Sequence, residues 1–308
     1  MKALLCGSFD AAGRDGWLAA LRQALPEADW LLEPAPDVEV AVVANPLPGA
    51  LQGLPRLKLI QSLWAGVDRL LADPTLPPAV PVARMVDPAM SGAMAETALW
   101  AVLSLHRGFF AYARQQQAGV WRQQPQRRAD EVPVLVLGLG AMGQAVAQRL
   151  AAQGYRVRAW RRAAGPAVQG IACSHGAGAL AGELASAEIV INLLPLTPDT
   201  RGLIDRRFLA ALPQGASVVN LARGAHVVDE DLLAALDEGR VAHAVLDVFH
   251  AEPLPPAHRY WHHPRVTVLP HAAALTDARS AARVVADNLR ALAQGRPLRH
   301  LVQRARGY

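Results

Sequence analysis

Apolar residues in this chain fall into short runs separated by longer amphipathic stretches, the pattern of strands alternating with helices. In the first part, runs at 2–5, 38–43, 57–62 and 82–84 predict strands, and helical periodicity predicts helices over 14–25 and 67–72. A helix over 91–118 follows, longer than the usual globular helix and placed to carry the chain from one domain into the next. Beyond it, strands are predicted at 134–137, 156–160, 189–192, 217–220, 242–248 and 266–269, alternating with helices. A last helix over 276–294, closed by Gly295 and Pro297, is expected to return and cap the first domain. The fold class that follows is α/β: two doubly wound parallel-sheet domains, 1–98 with 275–308 and 99–274, with a ligand cleft between them.

The most informative run is Val134-Leu135-Val136-Leu137-Gly138-Leu139-Gly140-Ala141-Met142-Gly143, an apolar strand ending in a Gly-x-Gly-x-x-Gly turn that opens onto an amphipathic helix. Gly138 allows the tight turn, Gly140 admits a pyrophosphate close to the backbone, and Gly143 lets helix and strand pack closely. The helix N-terminus then faces two phosphates with free N–H groups. The alternative, a glycine-rich turn in some other α/β unit, is disfavoured by the strand before, the helix after and the second strand at 156–160. About 20 residues past such glycines an acid usually meets the ribose 2′-hydroxyl. This chain has Arg161 and Arg162 there, two guanidiniums suited to a 2′-phosphate, so NADP(H) is expected in preference to NAD(H). The competing reading of the two arginines is a solvated strand end.

Composition narrows the function classes. With 308 residues, 52% of them hydrophobic, the chain has material for two cores. The apolar stretches are interrupted by charge, as by Glu96, His106 and Arg107, so no membrane span is expected, and Met1 to Asp10 reads as a buried first strand rather than a signal peptide. Two cysteines, Cys6 and Cys173, fit a reducing cytoplasm. The net charge of +5 comes from scattered arginines, with the densest group at Arg122 to Arg128 reading as a polar connection; a preference for anionic metabolites is expected, and nucleic acid is not.

In a doubly wound sheet the chemistry gathers in the loops after the strands. Three of these loops carry reactive residues: Arg223 after 217–220, Glu252 after the strand ending at Asp247, and His271 after 266–269. Reduction of a 2-oxo acid needs a hydride donor, a cation for the carboxylate and an acid for the oxygen, and these residues supply what a nicotinamide lacks. His258, His262 and His263 lie in a Pro-rich loop without strand-end context and without metal-ligand spacing, so they read as surface groups and no metal is expected.

The segments Leu59-Ile60-Gln61-Ser62-Leu63-Trp64-Ala65-Gly66-Val67-Asp68, Asn192-Leu193-Leu194-Pro195-Leu196-Thr197, Asn220-Leu221-Ala222-Arg223-Gly224, Leu246-Asp247-Val248-Phe249, Glu252-Pro253-Leu254 and Pro270-His271 stand in this order around the glycine motif. Over nearly its whole length the chain resembles the D-isomer-specific 2-hydroxyacid dehydrogenases, and among them the bacterial glyoxylate/hydroxypyruvate reductase A branch. The resemblance implies a flavodoxin-like substrate domain and a Rossmann cofactor domain, and a homodimer joined through the cofactor domains, with which the apolar helix region 93–110 agrees. It implies that Arg223 binds the substrate, that His271 exchanges the proton, and that Glu252 orients the imidazole and favours its charged form. It places the substrate carboxylate on the backbone of Ala65, Gly66 and Val67. The cofactor falls on Gly138, Gly140, Ala141, Met142, Gly143, Arg161, Arg162, Leu194, Pro195, Leu221 and Ala222, with the nicotinamide carboxamide on Asp247. Trp64 departs from the small residue of many relatives; it either narrows the pocket or turns into the core.

The activity implied is NADPH-dependent reduction of glyoxylate to glycolate or of hydroxypyruvate to D-glycerate. Two alternatives stay open on the sequence: reduction of another 2-oxo acid by the same residues, and a dinucleotide-sensing binding protein akin to the C-terminal-binding-protein corepressors. Against the latter stand the full Arg223, Glu252 and His271 set and the lack of a long disordered tail. A formate dehydrogenase is disfavoured because its family pairs the catalytic histidine with an amide.

Overall fold

A computed structural model describes residues 1–308 and divides them into two compact units, 1–90 with 276–308 and 91–275. Unit 1 contains β1 (Lys2–Gly7), α1 (Ala11–Ala24), β2 (Asp29–Leu31), β3 (Val40–Ala44), β4 (Leu59–Ser62), α2 (Asp68–Leu71) and β5 (Val82–Ala83). α3 (Pro88–His106) begins in unit 1 and continues into unit 2. Unit 2 goes on with α4 (Phe109–Gln117), β6 (Pro133–Leu137), α5 (Ala141–Ala152), β7 (Arg156–Arg161), β8 (Ala172–His175), α6 (Ala177–Leu184), β9 (Ile189–Asn192) and α7 (Arg206–Ala211). Then come β10 (Ala216–Asn220), α8 (Asp229–Asp237), β11 (Val241–Leu246) and β12 (Val266–Val268), and α9 (Ala278–Ala293) returns to unit 1.

Both sheets are wholly parallel. Unit 1 has strand order β2-β1-β3-β4-β5, the flavodoxin-like order, and unit 2 has β12-β11-β10-β9-β6-β7-β8, in which the direction of winding reverses between β6 and β9. Strands of such sheets are covered on both faces and so read as continuous apolar runs. In unit 2, Val134 and Val136 enter one core with Ile189, Ile191, Val146 and Leu150, while Leu135 and Leu137 enter the opposite core with Val190, Val218, Phe208 and Leu236. In unit 1, α9 packs against α1, and the buried Asn288 donates through Nδ2 to Gln61 Oε1 at 2.7 Å.

Four elements differ from the sequence expectation. The single helix expected over 91–118 is two, because the chain turns at Gly108, whose φ of 72° lies in the left-handed region where a helix cannot continue. Strands β2 and β8 were not foreseen: each is an edge strand, and each buries at most one of its residues. The last helix starts two residues later than expected, at Ala278, because Asp277 caps it, its side chain accepting from the Arg279 N–H. No helix is long and apolar enough to cross a membrane.

Candidate active site

The winding of unit 2 reverses where β6 ends in Gly138. A side chain there would meet the Leu193 carbonyl oxygen at 2.8 Å, and φ is 96°, so only glycine fits. At Gly143 a Cβ would collide with the Gly138 carbonyl, which lets α5 start directly beneath the turn. Gly140 faces open space, and no side chain caps α5, so the first-turn N–H groups of Ala141, Met142 and Gly143 are available to an anion. The chemistry of this turn fits the pyrophosphate of a dinucleotide.

Two asparagines at equivalent strand ends shape the neighbouring turns. Asn192 and Asn220 are fully buried and adjacent in the sheet register, with Asn192 Nδ2 donating to Asn220 Oδ1 at 3.0 Å. Asn192 Oδ1 accepts from the Leu194 N–H, Asn220 Oδ1 accepts from the Ala222 N–H, and Asn220 Nδ2 donates to the Arg223 carbonyl at 2.9 Å. One amide pair thereby fixes the turns that carry Leu194, Pro195, Leu221, Ala222 and Arg223. The repeated pattern of an apolar strand ending in Asn, Ile189-Val190-Ile191-Asn192 and Ser217-Val218-Val219-Asn220, is a signal that could have marked them as positioning residues.

At the end of β7, the Arg161 guanidinium rests on the carbonyls of Gly165 and Pro166, the latter at 2.9 Å, while its Nε is buried without a partner. Arg162 pairs with Asp199 at 2.6 Å, in the loop after β9. Both arginines sit at the end of β7, the next strand after the glycine turn. The orphaned Nε of Arg161 is a donor still without an acceptor.

The three strand-end residues sit on loops tied to one another. Arg223 is half-buried in extended conformation ahead of a 3₁₀ turn, Gly224–His226, and its Nη1 donates to the Ala222 carbonyl at 2.7 Å. A side chain at Gly224 would collide with the backbone of Phe249, so the Arg223 turn lies directly on the loop that leads to Glu252. Glu252 Oε1 accepts from the Phe249 N–H at 2.9 Å, and Oε2 lies 2.7 Å from Nδ1 of His271. That contact commits Nδ1 to the carboxylate and leaves Nε2 of an exposed imidazole for chemistry.

Asp247 holds the His271 loop from beneath. Its buried carboxylate accepts from Ala272 N–H at 2.7 Å and from Ala273 N–H at 3.1 Å, and its carbonyl accepts from His271 N–H at 2.9 Å. These bonds maintain His271 at a φ of 54°. Burial raises the Asp247 carboxyl above its ordinary value, against the opposing pull of the two amides and of His271.

In unit 1, Ser62 Oγ accepts from the Trp64 N–H at 3.0 Å and opens a turn in which the N–H groups of Ala65, Gly66 and Val67 have no acceptor within the protein. The Trp64 ring is half-buried, edge-on to Trp17 at 6.3 Å between centroids, so it leans on α1. His258 and His263 pair with Asp229 and Asp237 at 3.6 and 3.1 Å, and no cluster in the protein is able to hold a metal ion.

The family model for the D-isomer specific 2-hydroxyacid dehydrogenase NAD binding domain matches residues 99–273. A glyoxylate/hydroxypyruvate reductase A from Serratia proteamaculans is 41% identical over 302 residues, covering 95% of this chain and 96% of its own. Among solved structures, a D-isomer specific 2-hydroxyacid dehydrogenase from Xanthobacter autotrophicus in complex with NADPH and MES is 41% identical with a TM-score of 0.95, covering 100% of this chain and 99% of its own. An NADPH-dependent glyoxylate/hydroxypyruvate reductase from Sinorhizobium meliloti, in complex with NADP and sulfate, is 33% identical with a TM-score of 0.91, at the same coverage of both chains.

Proposed function

The chain belongs to the D-isomer specific 2-hydroxyacid dehydrogenase family, and on that premise we propose that it is an NADPH-dependent reductase of small 2-oxo acids, taking glyoxylate to glycolate and hydroxypyruvate to D-glycerate. The observation that carries the reading is the 2.7 Å contact between Glu252 and Nδ1 of His271, on loops of the same sheet as the Arg223 turn.

Residues of the Gly138 turn and the start of α5 hold the pyrophosphate, and Arg161 and Arg162 hold the 2′-phosphate, with Leu194, Pro195, Leu221, Ala222 and Asp247 lining the rest of the cofactor's path. Bound NADPH supplies the hydride to the carbonyl carbon. Arg223 draws charge toward the carbonyl oxygen and anchors the carboxylate through a forked contact that a single ammonium cannot reproduce. His271 gives the proton on Nε2 to that oxygen while Glu252 compensates the imidazole's charge through Nδ1. In the reverse direction the same nitrogen accepts the proton. The free N–H groups of Ala65, Gly66 and Val67 are carboxylate donors, and Trp64 beside them favours short acyl groups. Complexes of relatives with NADPH and NADP support the cofactor choice.

Unit 2 also exposes Trp100, Phe109, Val120 and Trp121, at 41, 51, 47 and 97%, large apolar side chains on α3, α4 and the segment after them that are suited to a second copy of the chain. The protein acts as a homodimer in the cytoplasm. A panel of 2-oxo acids with NADPH and NADH tests the catalytic reading: oxidation of NADPH on adding glyoxylate or hydroxypyruvate is expected, and no turnover with any 2-oxo acid would overturn it.

A further inference from the structure

The loop that presents Glu252 packs on the core through Val248, Phe249 and Leu254 but is sparsely hydrogen-bonded. Between Val248 and Leu254 only three hydrogen bonds form: the Phe249 N–H to Glu252 Oε1, Glu252 Oε2 with His271, and His250 Nε2 with the Val227 carbonyl oxygen at 2.8 Å. The first is internal to the loop and the second is the contact that the loop exists to present. Among the three, His250 alone ties the loop to the surrounding framework.

The place it reaches is specific. Val227 follows the 3₁₀ turn Gly224–His226, and its own N–H returns to the Gly224 carbonyl at 2.9 Å, so its carbonyl is fixed to the turn that carries Arg223. A carbonyl oxygen can only accept, so Nε2 of His250 carries a proton and donates. Behind it stands Asp229, 3.8 Å from His250 Nε2 and 3.6 Å from His258 Nε2, accepting at 2.9 Å from the Tyr260 hydroxyl. Burial keeps that hydroxyl protonated by pushing its pKa up, so Tyr260 stays a donor and holds the Asp229 carboxylate toward His250. A histidine with half its side chain in solvent is ordinarily a solvated group, but here it has a defined donor geometry and a carboxylate close by.

We propose that His250 is a positioning residue: by donating to the Val227 carbonyl it locks the Glu252 loop onto the Arg223 turn, so that Glu252 meets His271 while Arg223 keeps its place beside them. This rests on the catalytic reading above and adds to it the element that sets the geometry of its three residues. His250 acts through Glu252 and touches neither substrate nor cofactor. The neighbouring Gly224 and Phe249 backbones keep the two segments close, and the His250 bond fixes their register.

Two variants and two readouts test it. In His250→Ala, kcat for glyoxylate should fall about three- to tenfold, the worth of one net hydrogen bond, with KM for NADPH unchanged. Hydrogen–deuterium exchange of the apoprotein should speed up in peptides spanning residues 248–252 and nowhere else. In His250→Gln, whose amide nitrogen can donate to the same carbonyl, both kcat and exchange protection should return toward wild type. The inference is overturned if the alanine variant keeps wild-type exchange in that segment, if it loses protection with kcat intact, or if glutamine is no better than alanine. Exchange needs no turnover, so a protein that reduces no 2-oxo acid would refute the catalytic reading while the anchoring of the loop was still decided by the two variants.

Discussion

Gly224 lies directly on the main chain of Phe249, with no room for even a methyl group between them. This contact joins the turn carrying Arg223 to the loop carrying Glu252, and it can be made only by the residue without a Cβ. Gly224→Ala should force the two segments apart, costing about 1–3 kcal/mol in stability as overpacking does, and should lower kcat/KM for glyoxylate more than tenfold. Thermal unfolding and steady-state kinetics check both. A variant with wild-type kinetics would show that the Arg223 turn and the Glu252 loop need not touch.

His271→Asn should fold and bind NADPH while losing most turnover, because the amide can keep a hydrogen bond with Glu252 but has no proton to give. Positioned proton transfer contributes about a hundred- to ten-thousandfold. Cofactor binding by fluorescence and kcat by NADPH oxidation separate the two effects; retained kcat would place the acid elsewhere.

On the proposed function, Arg161 and Arg162 set the cofactor choice. A charged hydrogen bond is worth about 1.5–3 kcal/mol and each 1.4 kcal/mol is about tenfold, so NADPH should exceed NADH by at least tenfold in kcat/KM even after solvent screening. Arg161 must leave the carbonyls of Gly165 and Pro166 to reach a phosphate, which reduces the gain from that side chain. Arg161→Asp should reverse the preference. Equal use of both cofactors by the unmodified protein would mean that neither arginine meets the phosphate.

Asp247 gives a pH-dependent test. Its carboxyl is raised in the folded protein by burial, so the folded state holds its proton more firmly than the unfolded chain does. The stability this confers is fully present below the unfolded value of about 3.9 and is lost as pH rises through the raised folded value. Asp247→Asn removes that loss, so the melting temperature of the variant relative to wild type should climb between pH 4 and 7. A constant or falling difference would show that the amides of Ala272 and Ala273 outweigh the cost of burying the charge.

The exposed Trp121 bears on assembly. Light scattering coupled to size exclusion should give a dimer for the wild type, and Trp121→Ala combined with Trp100→Glu should shift it toward monomer with little change in the far-ultraviolet circular dichroism. A monomeric wild type would leave this apolar face without its proposed partner.

Much of the fold was legible because a parallel strand buried on both faces has to be apolar throughout: Val134 to Leu137 and Ile189 to Ile191 could hardly be anything else. Edge strands escape that rule, and Asp29-Trp30-Leu31 buries a single side chain, so neither periodicity nor propensity marked it. Gly108 carried no warning, since a glycine inside a helical pattern is often tolerated and only its neighbours decide whether it takes the left-handed conformation. Around the site, strand order told which loops to inspect, and the structure brings Glu252 and His271 of those loops into contact. It did not reveal what holds them there. The amide pair of Asn192 and Asn220, the grip of Asp247 on the 271–273 backbone and the reach of His250 to Val227 all join residues distant in sequence through single polar atoms, and such pairings leave no periodic trace.

The return of α9 to unit 1 sets an order of events during synthesis. The ribosome releases every strand of the first sheet before any of the second, yet the first sheet lacks the helix that supplies Asn288 to Gln61 and Arg290 to Glu27 until the final stretch of chain emerges. Unit 2, contiguous from 91 to 275, has all its parts earlier. The nascent N-terminal third therefore has its α1 face uncovered until α9 is made, while a module encoded after it is already complete in sequence, inverting the usual order in which domains are finished from the N-terminus.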